Sequence, residues 1–217
     1  VYVSRSACCI RKCRRVVYQW CAKSLKTELI LLAAGQSKRF GGIKQLTNIY
    51  GQPMICHCLS QYRHGEKWLN GIANGCVVLG SNAALISQVL PDNVNNYVVN
   101  LWLNGMGYVL AQSIHNIAVD TSHVLIGLAD QVAISQSMIS QLLDKSKDHQ
   151  SHIIAAQYNG GLGPPVIFPK DYFSELSQLT GDKGAKVLLK QYSQKVISLT
   201  MPEAALDVDT PECFKLL

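Results

Sequence analysis

The chain has little of what would tie it to a membrane, a disulfide scaffold or a nucleic acid. No apolar run approaches the roughly 20 residues that cross a bilayer, and the N-terminus lacks the apolar centre of a secretory signal. There is no Cys-x-x-Cys, and the 6 histidines are scattered without metal-ligand spacing, which argues against a zinc site. Of the 8 cysteines, Cys8, Cys9, Cys13 and Cys21 lie near the N-terminus, and Cys56, Cys58, Cys76 and Cys213 are dispersed. Cys56 and Cys58 flank His57, but positions i and i+2 of a helix point to different sides, so free thiols in a reducing compartment are expected. Acids are missing from the first 27 residues, which hold 7 of the 20 basic residues and none of the 14 acidic ones. The other 190 residues carry 13 cations against 14 acids, so the net charge of +6 belongs to the N-terminal stretch. A near-neutral body offers no broad basic face for nucleic acid.

Low-complexity linkers, internal repeats and a second domain boundary are absent too. One α/β domain over residues 27–217 is expected, with a basic, Cys-rich extension over 1–26 outside the fold. That extension is Arg-rich and acid-poor, the composition of an organellar transit peptide or of an unrelated upstream stretch. The body itself is expected to be cytoplasmic.

What is present is concentrated in Leu31-Leu-Ala-Ala-Gly-Gln-Ser-Lys-Arg-Phe-Gly-Gly-Ile-Lys-Gln-Leu46. It follows the apolar run Leu29 to Leu32, which reads as a buried strand. A strand opening into such a loop brings backbone N–H groups up to a phosphate, and no Cβ blocks the approach at Gly35, Gly41 or Gly42. Arg39 and Lys44 supply the charge a triphosphate needs, whereas Lys38 reads as a solvated side chain. The loop has neither the Gly-x-x-x-x-Gly-Lys-Ser/Thr nor the Gly-x-Gly-x-x-Gly spacing.

From Thr27 onward short apolar runs alternate with helical stretches. Strands are expected over 28–33, 75–80, 97–100, 123–128, 152–157 and 196–201, and helices over 54–62, 83–90, 108–117, 136–145 and 183–192. Asn82 and Ser135 are placed to cap the second and fourth helices. This alternation predicts a three-layer α/β/α, Rossmann-like domain with a mostly parallel twisted sheet. Ligands of such sheets bind beyond the carboxyl ends of the strands. The loops at Ala33-Ala34-Gly35, Gly80-Ser81, Asn100 to Gly107 and Ala129-Asp130-Gln131 should therefore share one crevice. Asp130 directly follows a buried strand, where an unpaired carboxylate is costly unless something binds it. Mg²⁺, a hard cation held by one or two carboxylates plus substrate phosphates, suits it; the plainer reading is a cap for a helix near Ile134.

Several segments in order over about residues 28 to 215 resemble the molybdenum cofactor cytidylyltransferases of the nucleotide-diphospho-sugar transferase superfamily. They are the opening loop, Asn100…Gly105-Met-Gly107, Leu128-Ala-Asp-Gln131, the pair Gly163-Pro-Pro-Val166 and Thr180-Gly-Asp-Lys-Gly-Ala185, and Asp207-Val-Asp-Thr-Pro-Glu212. Departures are Val132 where the family carries Pro, and Tyr108 and Val109 where it carries a small residue and Ser. The resemblance implies transfer of CMP from CTP to a molybdopterin-type cofactor with release of pyrophosphate, in the presence of Mg²⁺. It implies that Arg39 meets the β- and γ-phosphates, Lys44 the α-phosphate, and Leu32, Ala33, Ala34, Gly35, Gly80 and Gly105 the nucleotide. Asp130 and Asp209 become the metal ligands. Gly181, Asp182, Lys183 and Gly184 become an anion site for the acceptor, although Asp182 also reads as a simple helix cap. Ala34 resembles the cytidylyl members, since guanylyl relatives carry a second Gly there. The alternatives are another phosphorylated acceptor, GTP as donor, or a non-catalytic protein that delivers cofactor to a molybdenum hydroxylase.

Overall fold

A computed structural model describes residues 25–37, 39–210 and 213. Expectations for most of the N-terminal extension, for Lys38 and for a helix start at Pro211 lie outside the described residues. The strands are β1 (Thr27–Ala33), β2 (Asn48–Ile49), β3 (Gln52–Pro53), β4 (Arg63–His64), β5 (Lys67–Trp68), β6 (Ile72–Leu79), β7 (Asn95–Val98), β8 (His123–Leu128), β9 (Ile153–Tyr158), β10 (Gly161–Pro169) and β11 (Val196–Thr200). The helices are α1 (Met54–Ser60), α2 (Ala83–Ser87), α3 (Met106–Ile114), α4 (Gln136–Asp148), α5 (Phe173–Leu176) and α6 (Lys186–Gln191).

A seven-stranded sheet of order β11-β9-β10-β8-β1-β6-β7 forms the middle layer. All neighbours are parallel except β10, which runs antiparallel to both β9 and β8. β1 lies inside the sheet between β8 and β6 and is buried throughout, with alternate side chains feeding two cores. Leu29, Leu31 and Ala33 pack under α1, α2 and α4 with Ile55, Leu59, Ile86, Leu142 and Leu143. Ile30, Leu32 and Ala34 pack under α3, α5 and α6 with Val109, Leu110, Leu176, Leu188 and Leu189. The three-layer, mostly parallel architecture is thus the one the alternation predicts.

Four expectations are corrected. Lys26, assigned to the extension, belongs to the body: its N–H donates to Ser122 Oγ at 2.9 Å, its carbonyl accepts from Ser122 N, and its ammonium pairs with Asp120. β10, Gly161-Leu-Gly-Pro-Pro-Val-Ile-Phe-Pro169, is a strand that the expected set did not contain. Its register shifts between Gly163 and Val166, and that bulge lets Val166, Ile167 and Phe168 enter the core fully buried. Asn82 does precede α2, but in the left-handed region at φ 57°, and its side chain makes no cap bond. The last helix starts at Lys186 rather than Lys183, with Ala185 at its cap position and no side-chain cap, so Asp182 does not cap it. Ser135 behaves as expected, its Oγ accepting from Met138 N at 3.4 Å.

Gly127, inside β8, shows how closely the layers meet. A Cβ there would overlap the hydroxyl of Tyr62, which is 2 % exposed. Gly127→Ala should therefore cost about 1–3 kcal/mol and lower Tm by roughly 2–4 °C per kcal/mol. Adding Tyr62→Phe, which removes the clashing oxygen, should recover part of that loss in thermal melts; no recovery would show that the strain lies elsewhere.

Candidate active site

The carboxyl ends of β1 and β8 open into a cleft of about 520 Å³. Its floor is Leu32, Ala33, Ala34, Gly35 and Ala129; Arg39, Lys44, Asp130 and Asp209 line it, and Trp102, Leu103, Gly105, Met106, Val109 and Asp182 line it as well. Nothing lies within 4 Å of the position a Cβ would take on Gly35, so the backbone there is open to a ligand.

Lys44 is the hub. It sits in a short 3-10 turn, Lys44–Leu46, that turns both Lys44 and Gln45 inward. Its Nζ donates to Asp130 Oδ2 at 2.7 Å, to the Val208 carbonyl at 3.1 Å and to Asp209 Oδ1 at 3.4 Å. Burial works against the Lys44 charge, but Asp130 and then Asp209 more than offset it, and the pKa ends above the ordinary lysine value. Arg39, far more exposed, reaches Asp209 Oδ2 at 3.3 Å.

Gln45 holds the loop that Lys44 serves. Its Nε2 donates to the carbonyls of Ala33 (3.2 Å) and Gly35 (3.1 Å), and its Oε1 accepts from Ser37 Oγ (3.3 Å). Ser37 adopts φ 57°, a left-handed conformation uncommon outside glycine. A Lys-Gln pair is visible in the sequence, but only the fold shows that the Gln is structural.

The Asp130 loop is sewn to the C-terminal segment. Val208 N donates to the Asp130 carbonyl at 3.1 Å, and Gln131 bridges Asp207 in antiparallel fashion. Gln131 Nε2 donates to the carbonyls of Pro164 and Ala204. The plain helix-cap reading of Asp130 fails, because α4 begins at Gln136 and Ser135 caps it. Asp130 Oδ1 is instead buried without a hydrogen-bond partner. Val132, in place of the expected Pro, is buried and its carbonyl lies 2.9 Å from His57 Nε2.

Other expected residues fall around the cleft in different ways. Gly80 does not line it; it lies behind Ala34, and a Cβ there would meet Ala34 O and Trp102 Cγ, each at 2.7 Å. Gly105, at φ 97°, lines the cleft and abuts Gly181. Val109 is buried core as well as cleft lining, and Tyr108 packs on the same core, which accounts for the lost hydroxyl at this wall. The anion site expected at Gly181 to Gly184 is not built. The Gly181 carbonyl accepts from Gly107 N at 2.7 Å and Asp182 lines the cleft, so acceptors and negative charge stand where donors were expected. Lys183 is exposed. Trp102, Leu103 and Met106 belong to the Asn100 to Gly107 loop expected at the crevice, and the fold shows them to be its apolar lining.

With an open backbone loop, two cations and two carboxylates converging at the strand ends, this is the machinery of a nucleotidyltransferase. Residues 29–196 match the MobA-like NTP transferase domain, and the chain belongs to that family. It is 28% identical over 141 residues to the bifunctional protein GlmU of Pseudomonas putida (strain F1), a match over 64% of this chain and 30% of that protein. The chain thus spans less than a third of the length of the curated relatives it matches. Among solved structures it resembles Rv0371c from Mycobacterium tuberculosis H37Rv, with a TM-score of 0.74, 23% identity, and coverage of 89% of this chain and 97% of that one. A manganese complex of Rv0371c gives a TM-score of 0.70 at 22% identity, over 88% and 97% of the two chains. A CMP:2-keto-3-deoxy-manno-octonic acid synthetase complexed with CTP gives 0.70 at 15%, over 88% and 96%. These likenesses establish a shared fold.

Asp207 supplies a test of the site's electrostatics. Crowding by protein atoms and then the charges of Asp130 and Asp209 push its carboxyl up to about 6, although the side chain reaches solvent. A raised acid pKa means that the folded state holds the proton more tightly than the unfolded one. The charged form therefore destabilises the protein above about pH 6, and the penalty fades as pH falls toward the ordinary aspartate value. Asp207→Asn should melt higher than the wild type at pH 7.5, with the gap closing by pH 4. A gap that widens on acidification would contradict this sign.

Proposed function

We propose that the chain transfers CMP from CTP to a molybdopterin-type cofactor and releases pyrophosphate, with Mg²⁺ as the metal. The observation that carries catalysis is the convergence of Lys44, Asp130 and Asp209 beside the open Gly35 backbone. A phosphate oxygen of the acceptor forms the new bond at the α-phosphorus while the bond to the pyrophosphate oxygen breaks. Little covalent work falls to the protein in such a transfer, which depends on positioning and charge. Lys44 stands where charge builds on the α-phosphate, Arg39 meets the outer phosphates, and the amides of Ala34 and Gly35 face the nucleotide.

The residues present fit a divalent cation. Asp130 Oδ1 is a buried acceptor that lacks a partner, and Asp209 shares Lys44 with Asp130. Among the described residues no cluster of three ligating side chains exists. That suits Mg²⁺, which is held by one or two carboxylates and completed by substrate phosphates. Bound there, it would neutralise charge on the transferring phosphoryl group. The manganese complex of Rv0371c and the CTP complex of the synthetase support this reading of metal and nucleotide. Ala34 favours CTP over GTP, because its Cβ takes room that a purine needs. The Gly163-Pro-Pro-Val166, Thr180 to Ala185 and Asp207 to Pro211 segments favour a molybdopterin-type acceptor. A pure delivery protein would have no use for the Lys44 link.

Incubation with each NTP, Mg²⁺ and molybdenum cofactor should release pyrophosphate with CTP, and less with GTP at subsaturating concentrations. Equal release with both would defeat the nucleotide assignment; none with any NTP would defeat the reaction. Asp130→Asn keeps the side-chain shape and removes the charge, so it should cost on the order of a thousandfold in rate. It also takes a charge from buried Lys44, so its melting temperature should fall, and turnover is compared on protein shown to be folded. A folded variant with more than about a tenth of wild-type turnover, a loss under roughly 1.4 kcal/mol, would rule out Asp130 as the metal ligand.

A further inference from the structure

Three carboxylates line the cleft, and they are not equivalent. Asp130 and Asp209 are both held by Lys44. Asp182 has no hydrogen bond or ion pair with any described residue, and neither Arg39 nor Lys44 is within ion-pair distance of it. It is exposed, and the lining it shares includes the apolar Trp102, Leu103 and Met106, of which Leu103 is 72% and Met106 45% exposed.

The backbone fixes Asp182 in this place. Gly181 and Gly184 take φ values of 65° and 52°, so the chain turns sharply on both sides of it. Gly107 N donates to the Gly181 carbonyl at 2.7 Å. A Cβ on Gly105 would come within 2.5 Å of both Asp182 Oδ1 and the Gly181 carbonyl, so Gly105 leaves the room that the carboxylate occupies. Residues 105–107 and 180–182 are thus packed backbone to backbone, and Asp182 stands on the nucleotide loop rather than on a separate acceptor surface.

An apolar lining with one exposed, unpaired carboxylate beside it repels phosphate and suits a heteroaromatic ring that carries an N–H donor. Resting on the function proposed above, we infer that Asp182 is a specificity residue for the nucleobase, accepting a hydrogen bond from the exocyclic amino group of cytosine. Uracil presents a carbonyl oxygen at the same ring position, and its lone pairs would face the carboxylate. Discrimination then combines an attraction to one base with a repulsion of the other. Ala34 limits ring size, and Asp182 reads the ring's edge.

The test is calorimetric titration of CTP and UTP, with Mg²⁺ and without acceptor, into the wild type, Asp182→Asn and Asp182→Ala. The wild type should prefer CTP by about tenfold or more, the scale of one charged hydrogen bond at a partly exposed site. An amide both donates and accepts, so Asp182→Asn should bring the two nucleotides within roughly threefold of each other. Asp182→Ala should lose the preference by weakening CTP and relieving the repulsion of UTP. Thermal melts of the variants show whether the loop packing survives, and the Asn variant conserves shape if the Ala variant does not fold. A folded Asp182→Asn that keeps the wild-type ratio, or a wild type without a preference, would overturn the inference while leaving nucleotide binding intact. A wild type that binds neither nucleotide would overturn the proposed function and this inference with it.

Discussion

One ammonium group joins three stretches of chain that are far apart in sequence. Lys44 comes from the loop after β1, Asp130 from the loop after β8, and Val208 and Asp209 from the C-terminal segment. A charge with so little access to water is tolerable only when it is paired and hydrogen-bonded. The burial that threatens Lys44 therefore also dictates that both carboxylates stay beside it. Removing any partner would leave the others charged and uncompensated, so the arrangement persists or fails together. The remaining polar contacts of the region are subordinate to it. Gln45 ties off the carbonyls of Ala33 and Gly35, which would otherwise turn into the cleft, and Val208 N takes the Asp130 carbonyl.

The second constraint is steric. Gly80 lets Trp102 lie against the end of β6, and Gly105 with Gly107 lets the start of α3 meet Thr180 and Gly181. In each case a Cβ would come within 3 Å of a backbone or aromatic atom, closer than packing allows. These glycines bring the cleft's apolar wall up to the sheet. The electrostatic hub and the glycine contacts lie on different elements, which keeps the polar end of the cleft apart from the apolar one.

Sheet and layers were legible wherever a strand is a short apolar run between turn residues. His123–Leu128 is the plainest case, and the alternation Leu29 to Ala34 divides between the two cores as a period of two requires. β10 escaped because three prolines and two glycines sit in a strand whose bulge takes up Pro164 and Pro165, an exception to the rule that such residues end strands. Asp182 looked like a helix cap because Asp before a helical stretch usually is one; tertiary contact with Gly105 overrode the local preference. Asp130 could be picked out since its cost after a buried strand is local information. Trp102 and Gln45 could not, because what they do depends on partners that only folding brings near.

Charge placement makes chemical sense of the near-neutral body. With 13 cations and 14 acids after residue 27, the body has almost no net charge to draw a polyanion in, which leaves selectivity to the local charges of the cleft. At one end Arg39 and Lys44 meet acids that can be shared with a metal and phosphates. At the other, a lone carboxylate stands among apolar side chains. A nucleoside triphosphate has the same polarity along its length, with charge at one end and a flat ring edged by donors and acceptors at the other. Turning it end for end would set the phosphates against Asp182 and strand Lys44 beside a neutral ring. On the inference drawn for Asp182, binding orientation and ring identity depend on the same unpaired charge.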